Sequence, residues 1–210
     1  MSSTFSQYHP NLHIIRCSNR ISVMEFGECI MQFINPYLNF HEYGDTAMAN
    51  IKGGPLAPDI NGYVIFRDVP GGCEVCTEVW GLPPYKPAKN GKPPVGPHGF
   101  HIHEFGNCEA GDPSSPFKKA GEHWNPTKQP HGNHAGDFPV LFSNNGYARM
   151  CFFTNKFKVK DVVGKSVIIH ESPDDYRTQP AGAAGRRLAC GVIRMIHPPL
   201  YNQMPFHPCI

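Results

Sequence analysis

Apolar and polar positions alternate over short stretches from residue 47 onward, which is the pattern of half-buried β-strands. Each stretch is rich in β-branched or aromatic residues and ends near Gly or Pro. The stretches are AMANIKG, INGYVIFRDV, CEVCTEVWGL, GFHIHEF, FPVLF, NGYARMCFF, KSVIIHE and LACGVIRMI. We therefore predict an all-β protein, a Greek-key sandwich or barrel of about eight antiparallel strands.

Two long segments between these stretches have neither a strand nor a helix pattern. They cover residues 106–137 and 171–187, and we predict them as loops with a functional role, because long unstructured loops usually serve binding or catalysis. Residues 47–197 are predicted to be one domain. An extension of unknown role, 1–46, precedes it, and a Pro-rich tail, 198–210, follows it.

Composition and charge exclude several functional classes. The chain has 19 Lys+Arg against 17 Asp+Glu, so nothing indicates a nucleic-acid-binding or membrane-binding surface. No stretch approaches the roughly 20 apolar residues of a membrane span, and we recognise no secretory signal. A cytoplasmic location is therefore the default expectation, with export left open. The informative excess is in histidine, of which there are 12.

Two groups of histidines have metal-ligand spacing. His101 and His103 are two apart on a predicted strand, so both side chains leave the same face and can reach one ion. The loop segment GEHWNPTKQPHGNHAGD then adds three imidazoles and a carboxylate, which form a tetrahedral set typical of zinc. These residues are His123, His131, His134 and Asp137.

A copper site is the second prediction from the histidines. His170 ends the stretch KSVIIHE, and with His101, His103 and His123 it would provide four imidazoles without a thiolate. Such ligands suit copper that cycles between two oxidation states. His123 would then serve both ions, because a deprotonated imidazole offers one nitrogen to each metal.

Five motifs in succession resemble the signatures of the Cu/Zn superoxide dismutase family. They are GFHIHEFG, GEHWNP, HAGD, IIHESPDD and RRLACGVI, and the resemblance covers roughly residues 47–197. It implies an enzyme that converts superoxide to dioxygen and hydrogen peroxide by copper redox cycling, with a zinc site that shares His123. The early Cys108 and the short 176–186 loop are most similar to the bacterial-type members.

The resemblance also implies residue roles. Copper would be bound by His101, His103, His123 and His170, and zinc by His123, His131, His134 and Asp137. Arg187 would draw in the anionic substrate and act with His123 in catalysis, whereas Arg186 would have a minor steering role. Asp174 would link copper-side and zinc-side histidines, and Cys108 would form a disulfide with Cys190. A homodimer is left open.

The same metal-ligand pattern has two alternative interpretations. A copper donor or storage module on the same scaffold is disfavoured because the chain keeps both the copper ligands and Arg187. A copper-only enzyme is disfavoured because His131, His134 and Asp137 are all present.

Three further cysteines of the predicted domain are predicted to have packing roles. Cys73 and Cys76 form a CxxC motif inside a predicted strand, where residues three apart face opposite sides, so joint metal binding is awkward. Cys151 is predicted to lie in the core as a small apolar residue.

Overall fold

The computed structural model describes residues 44–196, whose strands form one antiparallel sheet. Seven strands lie in the order β4-β6-β7-β1-β2-β3-β5, which confirms the predicted all-β class. Their bounds are β1 Thr46–Gly53, β2 Asn61–Val69, β3 Gly72–Trp80, β4 Phe100–His103, β5 Ala148–Thr154, β6 Ser166–His170 and β7 Arg187–Met195. A 3-10 turn spans Lys118–Ala120 and a single-turn helix, α1, spans Val159–Val162.

The described range leaves out most of the predicted extension 1–46 and all of the predicted tail 198–210, so the predictions made for those segments lie outside it. Within residues 44–196, no helix is both long enough and apolar enough to cross a membrane.

The core lies on one face of the curled sheet, where alternate residues of each strand meet. On β1 the buried residues are Ala47, Ala49 and Ile51, as expected for a period of two. Aromatic rings from different segments pack edge to face inside, such as Phe138 against Phe152 with centroids 4.9 Å apart. Other members of this cluster are Val64, Phe66, Val75, Val79, Phe100, Ile102, Val167, Ile169 and Ile193.

The stretch FPVLF, predicted as a strand, forms no strand in the structure. Leu141 makes only an isolated bridge with His98, with N···O distances of 2.9 and 2.8 Å. Pro139 has no N–H to donate, so the ladder beside β4 cannot continue through this residue. The sheet therefore has seven strands instead of about eight.

The loop 106–137 covers the free edge of β4. Isolated bridges join His101 to Asp137 and His103 to His123, and the Ile102 N–H donates to Gly136 O at 2.9 Å. The other edge of β4 pairs with β6. Strand β4 is thus held between β6 and the long loop, and all three carry predicted metal ligands.

Two disulfides are present among the described residues, and only one of them was implied by the sequence. Cys108–Cys190 is the implied bond, with a Cα–Cα distance of 5.5 Å. Cys76–Cys151 joins residues directly opposite each other on β3 and β5, so the predictions of a separate packing role for Cys76 and a small apolar core role for Cys151 are wrong. Cys73 packs as a buried free thiol in the core.

Candidate metal centre

Three elements bring the predicted ligands to one place. Strand β4 supplies His101 and His103, loop 106–137 supplies four further residues, and the end of β6 supplies His170. Strands β4 and β6 pair antiparallel with each other, from Phe100 opposite Ile169 to His103 opposite Ser166. The pairing of β6 with β7 shifts register between Ile169 and His170, and the His170 N–H donates to Gly99 O at 2.8 Å, just before β4.

Four buried histidines form the first group, which we call the four-histidine group. Each offers a ring nitrogen, and these nitrogens all lie within 4.8 Å of one another. The Nε2 atoms of His103 and His170 are 3.3 Å apart, and the rings of His101 and His123 stack with centroids 3.9 Å apart. The four members are His101, His103, His123 and His170.

Hydrogen bonds on the far side of three of these rings fix which nitrogen faces the others. His103 Nδ1 donates to Gly121 O at 3.0 Å and His170 Nδ1 donates to Gly185 O at 3.2 Å. Their Nε2 atoms therefore carry the free lone pairs. His101 has the opposite arrangement, since its Nε2 donates to a carboxylate and its Nδ1 is left free.

The second group is built around Asp137, and we call it the histidine–aspartate group. The Asp137 carboxylate lies 3.0 Å from His123 Nδ1, 3.3 Å from His131 Nδ1 and 3.3 Å from His134 Nδ1. Backbone N–H groups of Gly132 and His134 donate to the same carboxylate at 2.9 and 3.0 Å. The four side chains again have their ligand atoms within 4.8 Å of one another, and His123 belongs to both groups.

Asp174 joins the two groups through the outer nitrogens of their histidines. Its Oδ2 accepts from His101 Nε2 at 2.6 Å, and its Oδ1 accepts from His131 Nε2 at 2.8 Å. The carboxylate is fully buried, so these two hydrogen bonds are shielded from water. This contact corresponds to the link between the two sides that the sequence assigned to Asp174.

The donor atoms of both groups fit metal ions. Four ring nitrogens of these two groups are buried and make no well-aligned hydrogen bond, a state that costs about 1–3 kcal/mol for each atom. A metal ion would satisfy them. Imidazole ligands alone suit copper, whereas three imidazoles with one carboxylate suit tetrahedral zinc. The four atoms are His101 Nδ1, His123 Nε2, His131 Nδ1 and His134 Nδ1.

The surroundings of four candidate ligands hold each of them in the protonation state that metal binding needs. Burial lowers the pKa of His101 and His103 well below the ordinary value, and it lowers the pKa of His170 to about 3. Burial alone would raise the pKa of Asp137, but the hydrogen bond from His123 and the neighbouring imidazoles hold it below the ordinary value. Neutral imidazoles and an ionised carboxylate are the ligand forms.

Arg187 is fixed beside the four-histidine group by two backbone carbonyls. Its Nη1 donates to Phe117 O and its Nη2 donates to Gly121 O, each at 2.7 Å. Gly121 O is also the acceptor for His103 Nδ1, so one carbonyl separates Arg187 from a candidate ligand. Phe117 packs with Cys190, so the Cys108–Cys190 disulfide supports the segment that holds the guanidinium.

A surface cavity of about 510 Å³ opens beside Arg187. Lys118 and Glu122 line it, and neither residue belongs to a motif that predicts a role for it. Nothing in the sequence distinguishes Lys118 from Lys119, but Lys119 is paired with Glu109 at 2.7 Å and does not line the cavity. Only the fold therefore identifies Lys118 as the lysine whose charge lies in the cavity beside Arg187.

Arg186 lines the same cavity, but its charge is largely offset. Its Nε and Nη2 donate to the two carboxylate oxygens of Glu171, at 2.8 and 2.6 Å. A bidentate pair of this kind fixes the guanidinium in place and cancels most of its field at a distance. Only a minor steering role fits this arrangement.

Comparisons with known proteins point to one family. The family model for copper/zinc superoxide dismutase matches residues 60–193. A Cu-Zn superoxide dismutase of Deinococcus radiodurans is 36% identical over 155 residues, covering 66% of this chain and 79% of the relative. One from Caulobacter vibrioides is 33% identical over 150 residues, covering 63% and 78%.

A solved structure agrees with these sequence matches. It is a double mutant of a SOD-like protein from Bacillus subtilis, with a TM-score of 0.54 and 27% identity. The match covers 69% of this chain and 94% of that protein.

Proposed function

Because the chain belongs to the copper/zinc superoxide dismutase family, we propose that its four-histidine group binds copper and its histidine–aspartate group binds zinc. The observation that carries this assignment is His123, the one side chain common to both groups. Its Nδ1 faces Asp137, and its Nε2 is buried without a hydrogen-bond partner, so each nitrogen has a separate ligand role.

The protein is a superoxide dismutase, which converts two superoxide ions and two protons into dioxygen and hydrogen peroxide. Copper, when bound, supplies the one-electron redox couple for this reaction, and zinc orients the shared imidazole. What the chain itself must provide is an entry path for a small anion, a proton at the reacting site and rings held in fixed orientations.

The proton is assigned to His123 Nε2. Nδ1 of the same ring is engaged on the Asp137 side, so Nε2 is the nitrogen that can take up and release a proton within the four-histidine group. This atom lies in a buried site, where bulk water does not compete with a small anion for the hydrogen bond. We infer that it delivers one of the two protons that peroxide formation consumes.

Substrate capture is assigned to Arg187. Superoxide carries one negative charge, and a fixed guanidinium at the wall of a surface cavity raises the local concentration of anions. The two 2.7 Å hydrogen bonds from Arg187 to Phe117 O and Gly121 O leave its side chain little freedom to turn away. Arg187 therefore acts without a reorganisation cost when the anion arrives.

The test of the assignment is the wild-type chain with both metals. We expect one copper and one zinc per chain by metal analysis and rapid, catalytic removal of superoxide, followed directly as its ultraviolet absorbance decays. A chain that binds both metals stoichiometrically but removes superoxide no faster than the buffer would overturn the enzymatic function and favour a copper storage module.

Lys118 is expected to add to the field that draws superoxide in. Lys118→Gln should lower the second-order rate constant by about two- to fivefold at low ionic strength, and the difference should shrink as salt screens the charge. Lys119→Gln is the matched control, because it removes the same charge one residue away where Glu109 already offsets it. Equal rate constants for the two variants would contradict the role of Lys118.

We further propose that residues 47–197 form a single dismutase domain, since the family match at 60–193 falls inside it. A homodimer, which the sequence leaves open, is not part of this proposal. Two disulfides in the described region favour a compartment that keeps cysteines oxidised, which weighs against the cytoplasmic default.

A further inference from the structure

The segment 174–182 makes three hydrogen bonds to one member of the histidine–aspartate group, His131. Asp174 Oδ1 accepts from the His131 ring at Nε2, 2.8 Å away. The side-chain amide of Gln179 meets both main-chain groups of His131: Oε1 accepts from its N–H at 2.8 Å, and Nε2 donates to its carbonyl at 3.3 Å. The segment 174–182 therefore holds both the ring and the backbone of the candidate ligand His131.

A glutamine amide suits this double contact because it has a donor and an acceptor in one plane. Gln179 thus pairs with His131 as a neighbouring strand would, although neither residue lies in a strand. A third hydrogen bond, from Gln179 Nε2 to Arg177 O at 3.1 Å, keeps the side chain close to its own backbone.

Asp175 builds the turn that presents Gln179. Its carboxylate accepts from the N–H groups of Arg177 and Thr178, at 2.9 and 2.8 Å, and from the Thr178 hydroxyl at 2.5 Å. The Thr178 carbonyl then accepts from the Gly182 N–H at 2.7 Å, which closes the turn. Residues 175–180 are exposed, so the shape of the turn comes from these local hydrogen bonds and not from apolar packing.

Gly182 allows this turn to approach the buried carboxylate. Its φ is +65°, in the left-handed region that favours glycine. A Cβ at this position would overlap Asp174 Oδ1 and His131 Nε2. The backbone therefore passes directly over the hydrogen bond between Asp174 and His131 and shields it.

We propose that Gln179 is a positioning residue for the zinc site. Gln179 holds the backbone of His131, while Asp174 holds its ring. The inference rests on the proposed zinc site. It gives the 174–182 segment a second task on the zinc side, in addition to the ring contact of Asp174. Without Gln179, His131 keeps its ring contact but loses the two hydrogen bonds that fix its main chain. Ordering His131 as a zinc ligand then costs more conformational entropy.

The test compares zinc retention in the full chain, loaded with copper and zinc, for wild type and Gln179→Ala. We expect zinc to pass to a coloured chelator about 10–100 times faster from the variant, the usual effect of removing a partner behind a metal ligand. Copper content should stay equal to that of wild type. With cobalt(II) in place of zinc, the visible absorption bands should shift, because they report the ligand geometry around the ion.

Gln129→Ala is the matched control. Gln129 is also an exposed glutamine, and it lies only two residues from His131, but its side chain contacts Thr127 O and Asn133 instead of a candidate ligand. Its zinc release and cobalt spectrum should match those of wild type. Equal melting temperatures of all three chains without metals would exclude general unfolding as the cause of faster release.

Two results would overturn the role of Gln179 and leave the zinc site intact. One is unchanged zinc release from Gln179→Ala, and the other is an equal loss of zinc and copper. A wild-type chain that takes up copper but no zinc would instead overturn the zinc site on which the inference rests.

Discussion

Replacing His123 by alanine is expected to abolish superoxide removal and to weaken the binding of both metals at once. His123 is the only residue that belongs to both candidate ligand groups of the described chain. Even a partner behind a metal ligand is worth about 10–100-fold in affinity, so loss of a shared ligand should cost each site at least that much. Metal analysis after dialysis against a weak chelator, together with the rate of superoxide decay, measures both effects.

Two single-site variants serve as controls. His170→Ala removes a member of the four-histidine group only and should release copper while zinc stays, whereas His134→Ala should do the opposite. Each variant deletes one buried imidazole, so a general effect of the cavity would appear in all three. If His123→Ala lost only one of the two metals and bound the other as tightly as the wild type, His123 would not be a shared ligand.

The sequence predicted the strands around the site well because pattern and chemistry agree there. In β4 the alternation puts Phe100 and Ile102 in the core, which leaves His101 and His103 on the opposite face. In such a strand the apolar residues predict the secondary structure and the histidines between them predict the metal site. The family motifs then supplied Arg187 and Asp174, which no local pattern would identify.

Contacts that depend on register or on loop shape could not be predicted. Cys76 and Cys151 are 75 residues apart, and only the pairing of β3 with β5 places them opposite each other. A strand pattern in FPVLF was overridden by one proline. Gln179 carries no sequence signal, because its contact with His131 exists only once the Asp175 turn has formed.

Loss of the Arg187 charge is the second large effect that we expect. Arg187→Gln should lower the second-order rate constant for superoxide by about tenfold or more at low ionic strength, within the 10–10³ range by which charged clefts accelerate capture. Copper and zinc content should stay at the wild-type level, since Arg187 is not among the candidate ligands. The measurement is the superoxide decay rate at several salt concentrations, because a lost steering charge also flattens the dependence on salt.

Arg186→Gln is the matched control for this variant, because it makes the same substitution at the adjacent residue. Arg186 is exposed and paired with both carboxylate oxygens of Glu171, so its field at the cavity is already offset and the rate should change by less than about twofold. Both variants lower the net charge by one, so only the position of the charge differs between them. Equal losses would mean that superoxide responds to overall charge, and the fixed guanidinium between Phe117 O and Gly121 O would then have no special part in capture.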